Sequence, residues 1–209
     1  MRVPLLNFDR LAATPAVRDP FRHLVATDLI APPALAEIGA DFPRIKGAGI
    51  FPLSELRYGP AFARLIDEIK GPEMAAALAG KFDIDLAGRP LMITIRGHCR
   101  RKDGRIHTDT ACKLVTALLY LNEPWAADGG RLRLLRGPDD LDDMIGEVPP
   151  DGGTLVAFRR SDNSYHGHHP FVGPRRYVMF NWISDEAAMQ RELARHRLSA
   201  RLKKYVPFA

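Results

Sequence analysis

Several features of secreted and membrane proteins are missing from this sequence. Its 209 residues include two cysteines, Cys99 and Cys112, which lack CxxC spacing and are too few for a disulfide scaffold. No stretch approaches the 18 uninterrupted apolar residues of a membrane-spanning helix, and the first 19 residues contain no apolar segment of signal-peptide length. We therefore expect a single cytoplasmic domain, spanning residues 1–209, that is neither secreted nor embedded in a membrane.

An evenly spread excess of positive charge is also missing. The net charge of +5 is matched by residues 191–204 alone, which hold six Lys or Arg and one Glu. A basic terminal helix of this kind is a solvated helix, a site for an anionic partner or an element that forms a homodimer. The sequence lacks an obvious groove of aromatic and basic residues, so it does not favour nucleic acid as a partner.

A helical pattern is present over residues 1–90. Apolar residues spaced by three and four predict helices over residues 33–42 and 60–70. Gly71-Pro72 ends the second of these, and a third helix begins with Pro72. We expect this N-terminal region to precede the core.

Residues 91–184 have the short, alternating apolar segments of a β domain. Strands are predicted within residues 91–99, 113–122, 129–137, 152–158, 164–170 and 175–184. Asp103-Gly104 predicts a hairpin turn, and the acidic residues 138–147 predict a loop or short helix. The expected fold is α+β with a mainly β core, a double-stranded β-helix or jelly roll. Ser184-Asp185-Glu186 would then begin a C-terminal helix and tail over residues 185–209.

A His-x-Asp motif, His107-Thr108-Asp109, lies between the predicted strand segments 91–99 and 113–122. With seven histidines in the chain, this spacing arises by chance about 0.6 times, so the motif alone is weak. Two histidines and one carboxylate on neighbouring strands form the facial triad of non-haem iron enzymes. The second histidine could be His166, His168 or His169, and Arg175 or Arg176 could bind a carboxylate through a two-pronged guanidinium contact.

The run from Arg105 to Ile183 resembles the iron(II)- and 2-oxoglutarate-dependent dioxygenases, in particular their prolyl hydroxylase-like branch. The matching pieces are IHTD, TALLYLNEPW with GGRLRLL, VPPDGGTLVAF and SDNSYHGHHPFVGPRRYVMFNW, in the same order and spacing. The resemblance implies Fe(II) as the metal, with 2-oxoglutarate and O2 as cosubstrates. It also allows ascorbate as an accessory reductant. It also implies hydroxylation of a prolyl-like protein residue or a small metabolite, with release of succinate and CO2.

Carried onto this chain, the resemblance makes His107, Asp109 and His166 the metal ligands. His166 is preferred to its neighbours because it follows the short polar turn SDNSY. Arg176 matches the arginine that binds 2-oxoglutarate, with Arg175 as the alternative. Tyr120 matches a tyrosine that shares the same carboxylate.

Two positions depart from the family pattern. Val178 replaces the common Ser or Thr two residues after Arg176, which leaves fewer polar contacts to 2-oxoglutarate, and Gly104 replaces an aromatic residue three positions before His107. Asp109 argues for hydroxylation, because related halogenases replace this carboxylate with a small residue.

Two other classes of function stay open. One is a cupin-like protein that binds metal without turnover, for which a carboxylate-binding arginine is unnecessary. The other is a demethylase directed at nucleic acid, which predicts salt-dependent binding. The basic segment RRKDGR, residues 100–105, is either a solvated turn or a clamp for an anionic substrate.

Overall fold

Two antiparallel sheets form the centre of the molecule. The computed structural model describes residues 4–45 and 47–204, with the backbone alone for residues 198–204. The strands are β1 (His23–Ala26), β2 (Ile50–Pro52), β3 (Leu91–Cys99), β4 (Lys113–Tyr120), β5 (Leu132–Leu135), β6 (Met144–Val148), β7 (Leu155–Arg159), β8 (His166–Gly167) and β9 (Gly173–Ile183). The large sheet has the order β1-β7-β4-β9-β3-β2, and the small sheet has the order β6-β5-β8. The α+β jelly-roll prediction is confirmed.

Helices cover one side of the large sheet, and the last helix follows the last strand in the sequence. They are α1 (Phe8–Ala13), α2 (Pro32–Ala40), α3 (Pro60–Lys70), α4 (Pro72–Phe82) and α5 (Glu186–Lys204), with a 3₁₀ turn at Leu53–Glu55. In α3, Pro60 occupies the first turn, where its missing N–H costs nothing, and Gly71 follows the last residue. The buried side chains of α3 recur every three or four residues, which places them on the sheet: Phe62, Leu65, Ile66 and Ile69.

The two central strands, β4 and β9, pair directly and divide their side chains between two faces. Tyr120 pairs with Tyr177, and Thr116 pairs with Asn181. Because side chains alternate along a strand, one face carries Thr116, Leu118, Tyr120, Arg175, Tyr177, Met179 and Asn181. We call it the cavity face. The opposite face carries Val115, Ala117, Leu119, Val178, Phe180 and Trp182, which pack with the helices. We call it the helix face.

Two expectations about local structure are corrected. The acidic segment 138–147 contains a strand, β6, which pairs with β5. Residues 100–103 do form a turn, closed by a 2.9 Å hydrogen bond from the Asp103 N–H to the Arg100 carbonyl. That turn is not the tip of a hairpin, because β3 pairs with β9 and β2 whereas β4 pairs with β7 and β9.

Strands from the first 90 residues also enter the large sheet. β1 adds to β7 and β2 adds to β3, so both edges of that sheet come from the region that was predicted to be largely helical. The division at residues 90 and 184 stays a prediction, and residues 1–3 and 205–209 lie outside the described residues. The start of α5 is as expected: Asp185 caps it by accepting the Ala188 N–H at 2.8 Å.

Two smaller points concern the whole described chain. None of its helices is long and apolar enough to cross a membrane. Cys99 and Cys112 are both free thiols.

Candidate active site

The His-x-Asp motif and His166 meet between the two sheets. His107 lies just before β4 and forms an antiparallel bridge with His166 of β8, through backbone hydrogen bonds of 3.1 and 3.0 Å. One ligand atom from each of His107, Asp109 and His166 lies within 4.8 Å of the others, a cluster that could hold a metal ion. The bridge explains the geometry, because it fixes two residues 59 positions apart side by side.

Backbone carbonyl groups orient both imidazole rings. The Nδ1 atom of His107 lies 2.9 Å from the Arg105 carbonyl, and that of His166 lies 3.0 Å from the Ser164 carbonyl. A carbonyl accepts, so each Nδ1 carries the proton and each Nε2 is left as the metal donor. Burial lowers the pKa of His166 to about 4, which keeps this ring neutral and able to bind metal near pH 7.

The carboxylate of Asp109 is held by buried polar groups. Lys113 Nζ donates to one oxygen at 2.6 Å and Thr116 Oγ1 donates to the other at 2.5 Å. Thr116 in turn accepts from Asn181 Nδ2 at 2.8 Å. Burial alone would raise the pKa of Asp109, but Lys113, His166 and Thr116 bring it well below its ordinary range. The carboxyl group is therefore ionised and fixed in position.

This donor set suits a first-row divalent metal. Two neutral imidazoles and one carboxylate, arranged around one point, are the ligands of non-haem Fe(II) sites that leave further coordination positions open. Each ligand has a hydrogen-bonded partner behind it, which is the support that metal ligands normally have. The residues present therefore fit the group that the sequence predicts.

A cavity of about 310 Å³ leads from these ligands to Arg175. The guanidinium of Arg175 is buried, donates from Nε to the Gly130 carbonyl at 2.7 Å and donates from Nη2 to the Tyr120 hydroxyl at 3.0 Å. Burial raises the pKa of Tyr120 to about 12, so its hydroxyl stays protonated. Among the described residues, no carboxylate lies within 4 Å of Arg175.

Arg176, the first choice from the sequence, is not in this cavity. Its guanidinium lies 5.3 Å from the ring centroid of Phe42, on the side of the sheet opposite to Tyr120, and the residue is exposed. The structure therefore places the alternative, Arg175, and not Arg176, beside Tyr120. The pairing of Tyr120 with Tyr177 explains this, because Arg175 shares the face of Tyr177 and Arg176 does not.

Further polar residues line the cavity, and of these the sequence pattern had indicated only His168, as an alternative metal ligand. Arg96 of β3 donates to the Tyr177 hydroxyl at 2.9 Å and to Asp103 at 2.6 Å. His168 lines the same wall, and burial with the nearby Arg175 lowers its pKa to about 4. Lys113, four residues after Asp109, was detectable as a cation in an otherwise apolar strand; Arg96 had the same signal in β3.

Comparison with known proteins agrees with this geometry. Residues 97–184 match the family model described as the 2OG-Fe(II) oxygenase superfamily. The sequence has no significant match among curated proteins.

Solved structures share the fold. A prolyl-4-hydroxylase from Pseudomonas putida is 20% identical, covers 86% of this chain and 97% of its own, and superposes with a TM-score of 0.57. The collagen prolyl hydroxylase of Paramecium bursaria Chlorella virus-1, in complex with 2-oxoglutarate, is 14% identical over 81% of this chain and 99% of its own, with a TM-score of 0.56. HygX from Streptomyces hygroscopicus, with nickel and 2-oxoglutarate bound, is 16% identical over 79% and 83%, with a TM-score of 0.55.

The family match covers β4 to β9, the segment that supplies the clustered ligands and Arg175. The surrounding fold is shared with these solved structures, two of which contain 2-oxoglutarate, one of them with nickel. Residues 97–184 are therefore similar in sequence to the 2OG-Fe(II) oxygenase superfamily, and the clustered ligands lie within that matched segment.

Proposed function

We propose that this protein is an Fe(II)- and 2-oxoglutarate-dependent hydroxylase in which His107, Asp109 and His166 hold Fe(II) and Arg175 binds 2-oxoglutarate. The substrate is a prolyl-like residue of a peptide or a small metabolite, and the coproducts are succinate and CO2. Two of the similar solved proteins are prolyl hydroxylases, which supports the peptide alternative without excluding the other.

The observation that carries this proposal is the buried charge of Arg175. A guanidinium that is removed from water and lacks a carboxylate partner is costly, so such a site favours an anionic ligand. The cavity joins Arg175 to the three clustered ligands, so one dicarboxylate can contact both ends. A planar fork of N–H donors matches a carboxylate, and the Tyr120 hydroxyl helps to fix that fork by accepting from Arg175 Nη2 at 3.0 Å.

Bound Fe(II) would supply the oxidation of a substrate C–H bond by O2, coupled to the decarboxylation of 2-oxoglutarate. The protein supplies orientation and exclusion of water. Lys113 and Thr116 hold the Asp109 carboxylate, which is present where a halide would have to bind in a halogenase. Leu118, Leu132 and Met179 line the cavity with apolar surface, which keeps water from the reacting groups.

The cupin-like and nucleic-acid alternatives have less support. A protein that only stores metal has no use for the buried Arg175 and Tyr120 pair. A groove that stacks bases would need aromatic side chains beside the basic ones, and the cavity lining holds Tyr177 alone among the larger aromatic residues of the described chain. The cytoplasmic location stays part of the proposal and rests on the two free thiols. Dimer formation through α5 also stays a proposal.

Anaerobic titration tests the proposed site. Addition of Fe(II) and then 2-oxoglutarate to the metal-free protein should produce the visible metal-to-ligand charge-transfer band of the chelate. Arg175→Gln should weaken 2-oxoglutarate binding about a hundredfold, because it removes one partner of a buried charge pair. Arg176→Gln, on the adjacent residue of the other face, should leave it unchanged. Equal behaviour of the two variants would contradict the assignment of Arg175.

A further inference from the structure

The C-terminal helix contributes to the cavity, although the metal ligands and Arg175 all come from the β core. Arg195 and His196 of α5 line it together with Ile50 of β2. The helix packs along β2, and Arg197 is held near Glu55, with Nε 3.5 Å from Oε1. One wall of the cavity is therefore built from residues that the proposed cofactor and cosubstrate do not require.

The charged side chains that line the cavity differ in their exposure and in their ion-pair partners. Arg96 and Lys113 each face a largely buried carboxylate at 2.6 Å, and Arg175 serves the cosubstrate. Arg195 differs from these three, because its side chain is 60% exposed and its partner, Glu192, lies one turn earlier on the same helix. Glu192 is largely buried and engages one guanidinium nitrogen, Nη2, so the other N–H groups of the exposed Arg195 guanidinium can donate to an anionic ligand in the cavity.

A second segment adds positive charge at the same cavity. Gly104 lines the cavity, and its carbonyl accepts the His168 N–H at 2.9 Å, so the turn before it is attached to the cavity wall. Arg101, Lys102 and Arg105 are exposed, and in the described part of the chain none of them has a carboxylate within 4 Å. These cations flank Gly104, a residue of the cavity wall, so the turn adds positive charge beside the cavity and raises the local concentration of anions there.

We propose that the substrate carries an anionic group, a carboxylate or a phosphate, that binds to Arg195 while the C–H bond to be oxidised faces the metal ligands. This inference rests on the proposed function and adds the chemical class of the substrate. Arg195 is then a specificity-determining residue, and the turn at residues 100–105 attracts the same anion without holding it.

Binding experiments with the full chain, loaded with Mn(II) and 2-oxoglutarate, test the proposal without turnover. The probes are blocked pentapeptides with a central proline flanked by Glu or by Gln, and inorganic phosphate. The Glu peptide or phosphate should bind at least tenfold more tightly than the Gln peptide. Arg195→Gln should lower that affinity about tenfold, the value of one charge-assisted hydrogen bond. Arg191→Gln, exposed on the same helix and outside the cavity lining, is the matched control.

Each outcome has a defined meaning. Preference for the Glu peptide identifies a carboxylate on a peptide, and binding of phosphate alone identifies a small phosphorylated compound; loss of either with Arg195→Gln supports the proposal. Equal binding of all probes, no binding, or a preference that survives Arg195→Gln overturns it. The charge-transfer band of the Fe(II) and 2-oxoglutarate complex is measured in parallel. Its absence from the unmodified protein would overturn the proposed function, whereas its presence with no anion preference would overturn this inference alone.

Discussion

The cavity face and the helix face of the large sheet are made by the same two strands, β4 and β9, and differ in composition. The helix face is apolar along both strands and belongs to the largest hydrophobic cluster of the described chain. The cavity face carries Thr116, Asn181 and Arg175 among its apolar and aromatic side chains, and all three are buried. Burial of polar groups costs stability unless they are paired, so the cavity face has a composition that packing alone would not favour.

The comparison indicates that residues that stabilise the fold alternate along each strand with residues that serve the chemistry, because successive side chains point to opposite faces. A residue on the helix face contributes by filling the interior, whereas a residue on the cavity face contributes by holding a ligand or another polar group. Substitutions on the two sides should therefore affect different measurements.

The largest effect on activity is expected for a residue that is needed for metal binding and contributes little to stability. His107 is exposed in the structure, so His107→Ala should change the free energy of unfolding of the metal-free protein by less than about 0.5 kcal/mol. It removes one of three metal ligands, so 2-oxoglutarate turnover should be abolished. Succinate release and denaturant unfolding measure the two effects. Normal turnover would show that the clustered ligands do not hold the catalytic metal.

The opposite behaviour is expected one sheet face away. Phe180 is fully buried on the helix face and packs against Trp182, with ring centroids 5.8 Å apart. Phe180→Ala should lower the free energy of unfolding by about 3–5 kcal/mol, through lost burial and a cavity. The fraction that stays folded should bind Fe(II) and 2-oxoglutarate normally. A specific loss of binding, at unchanged stability, would contradict the division between the faces.

A dependence of stability on pH should also arise from the cavity. The pKa of His168 is about 4 in the folded protein, against about 6.5 for an unfolded histidine, so the unfolded state binds the proton first. Stability is thus present above pH 6.5 and is lost as the pH falls toward 4. Between pH 7 and 5, the unmodified protein should lose about 2 kcal/mol more of its unfolding free energy than the His168→Gln variant does. Metal-free protein in a chelating buffer is used, and an unchanged slope would mean that His168 is not held neutral.

Sequence patterns predicted the repetitive parts of this molecule well. The helix over 60–70 and the strand over 91–99 have strong periodicity, and both have the predicted bounds. β1 and β2 were missed because strands of four and three residues are too short to show alternation, and they exist through pairing with distant residues. β6 was missed because acidic side chains obscured it.

The types of residue in the site were predicted from the sequence. The remaining error concerned which of two adjacent arginines faces the cavity. His107, Asp109 and His166 lie together as the family resemblance implies. Arg175 and Arg176 are adjacent, and a motif match cannot separate them by spacing alone. The face of Arg175 depends on the pairing of β9 with β4, a long-range contact that no local pattern contains. The position of Arg195 at the cavity could not be predicted from local patterns either, since only the packing of α5 on β2 brings it there.

These two neighbouring arginines allow the smallest and sharpest comparison of the two faces. Arg175→Lys keeps the charge but loses the planar fork, so the KM for 2-oxoglutarate should rise about tenfold with little change in kcat. Arg176→Lys should leave both constants unchanged, because its guanidinium contacts Phe42 on the other side of the sheet. Steady-state kinetics of succinate release, with 2-oxoglutarate varied, measure both variants. An increase in KM for Arg176→Lys but not for Arg175→Lys would restore Arg176 as the 2-oxoglutarate ligand, and would require β9 to pair one residue out of its present register.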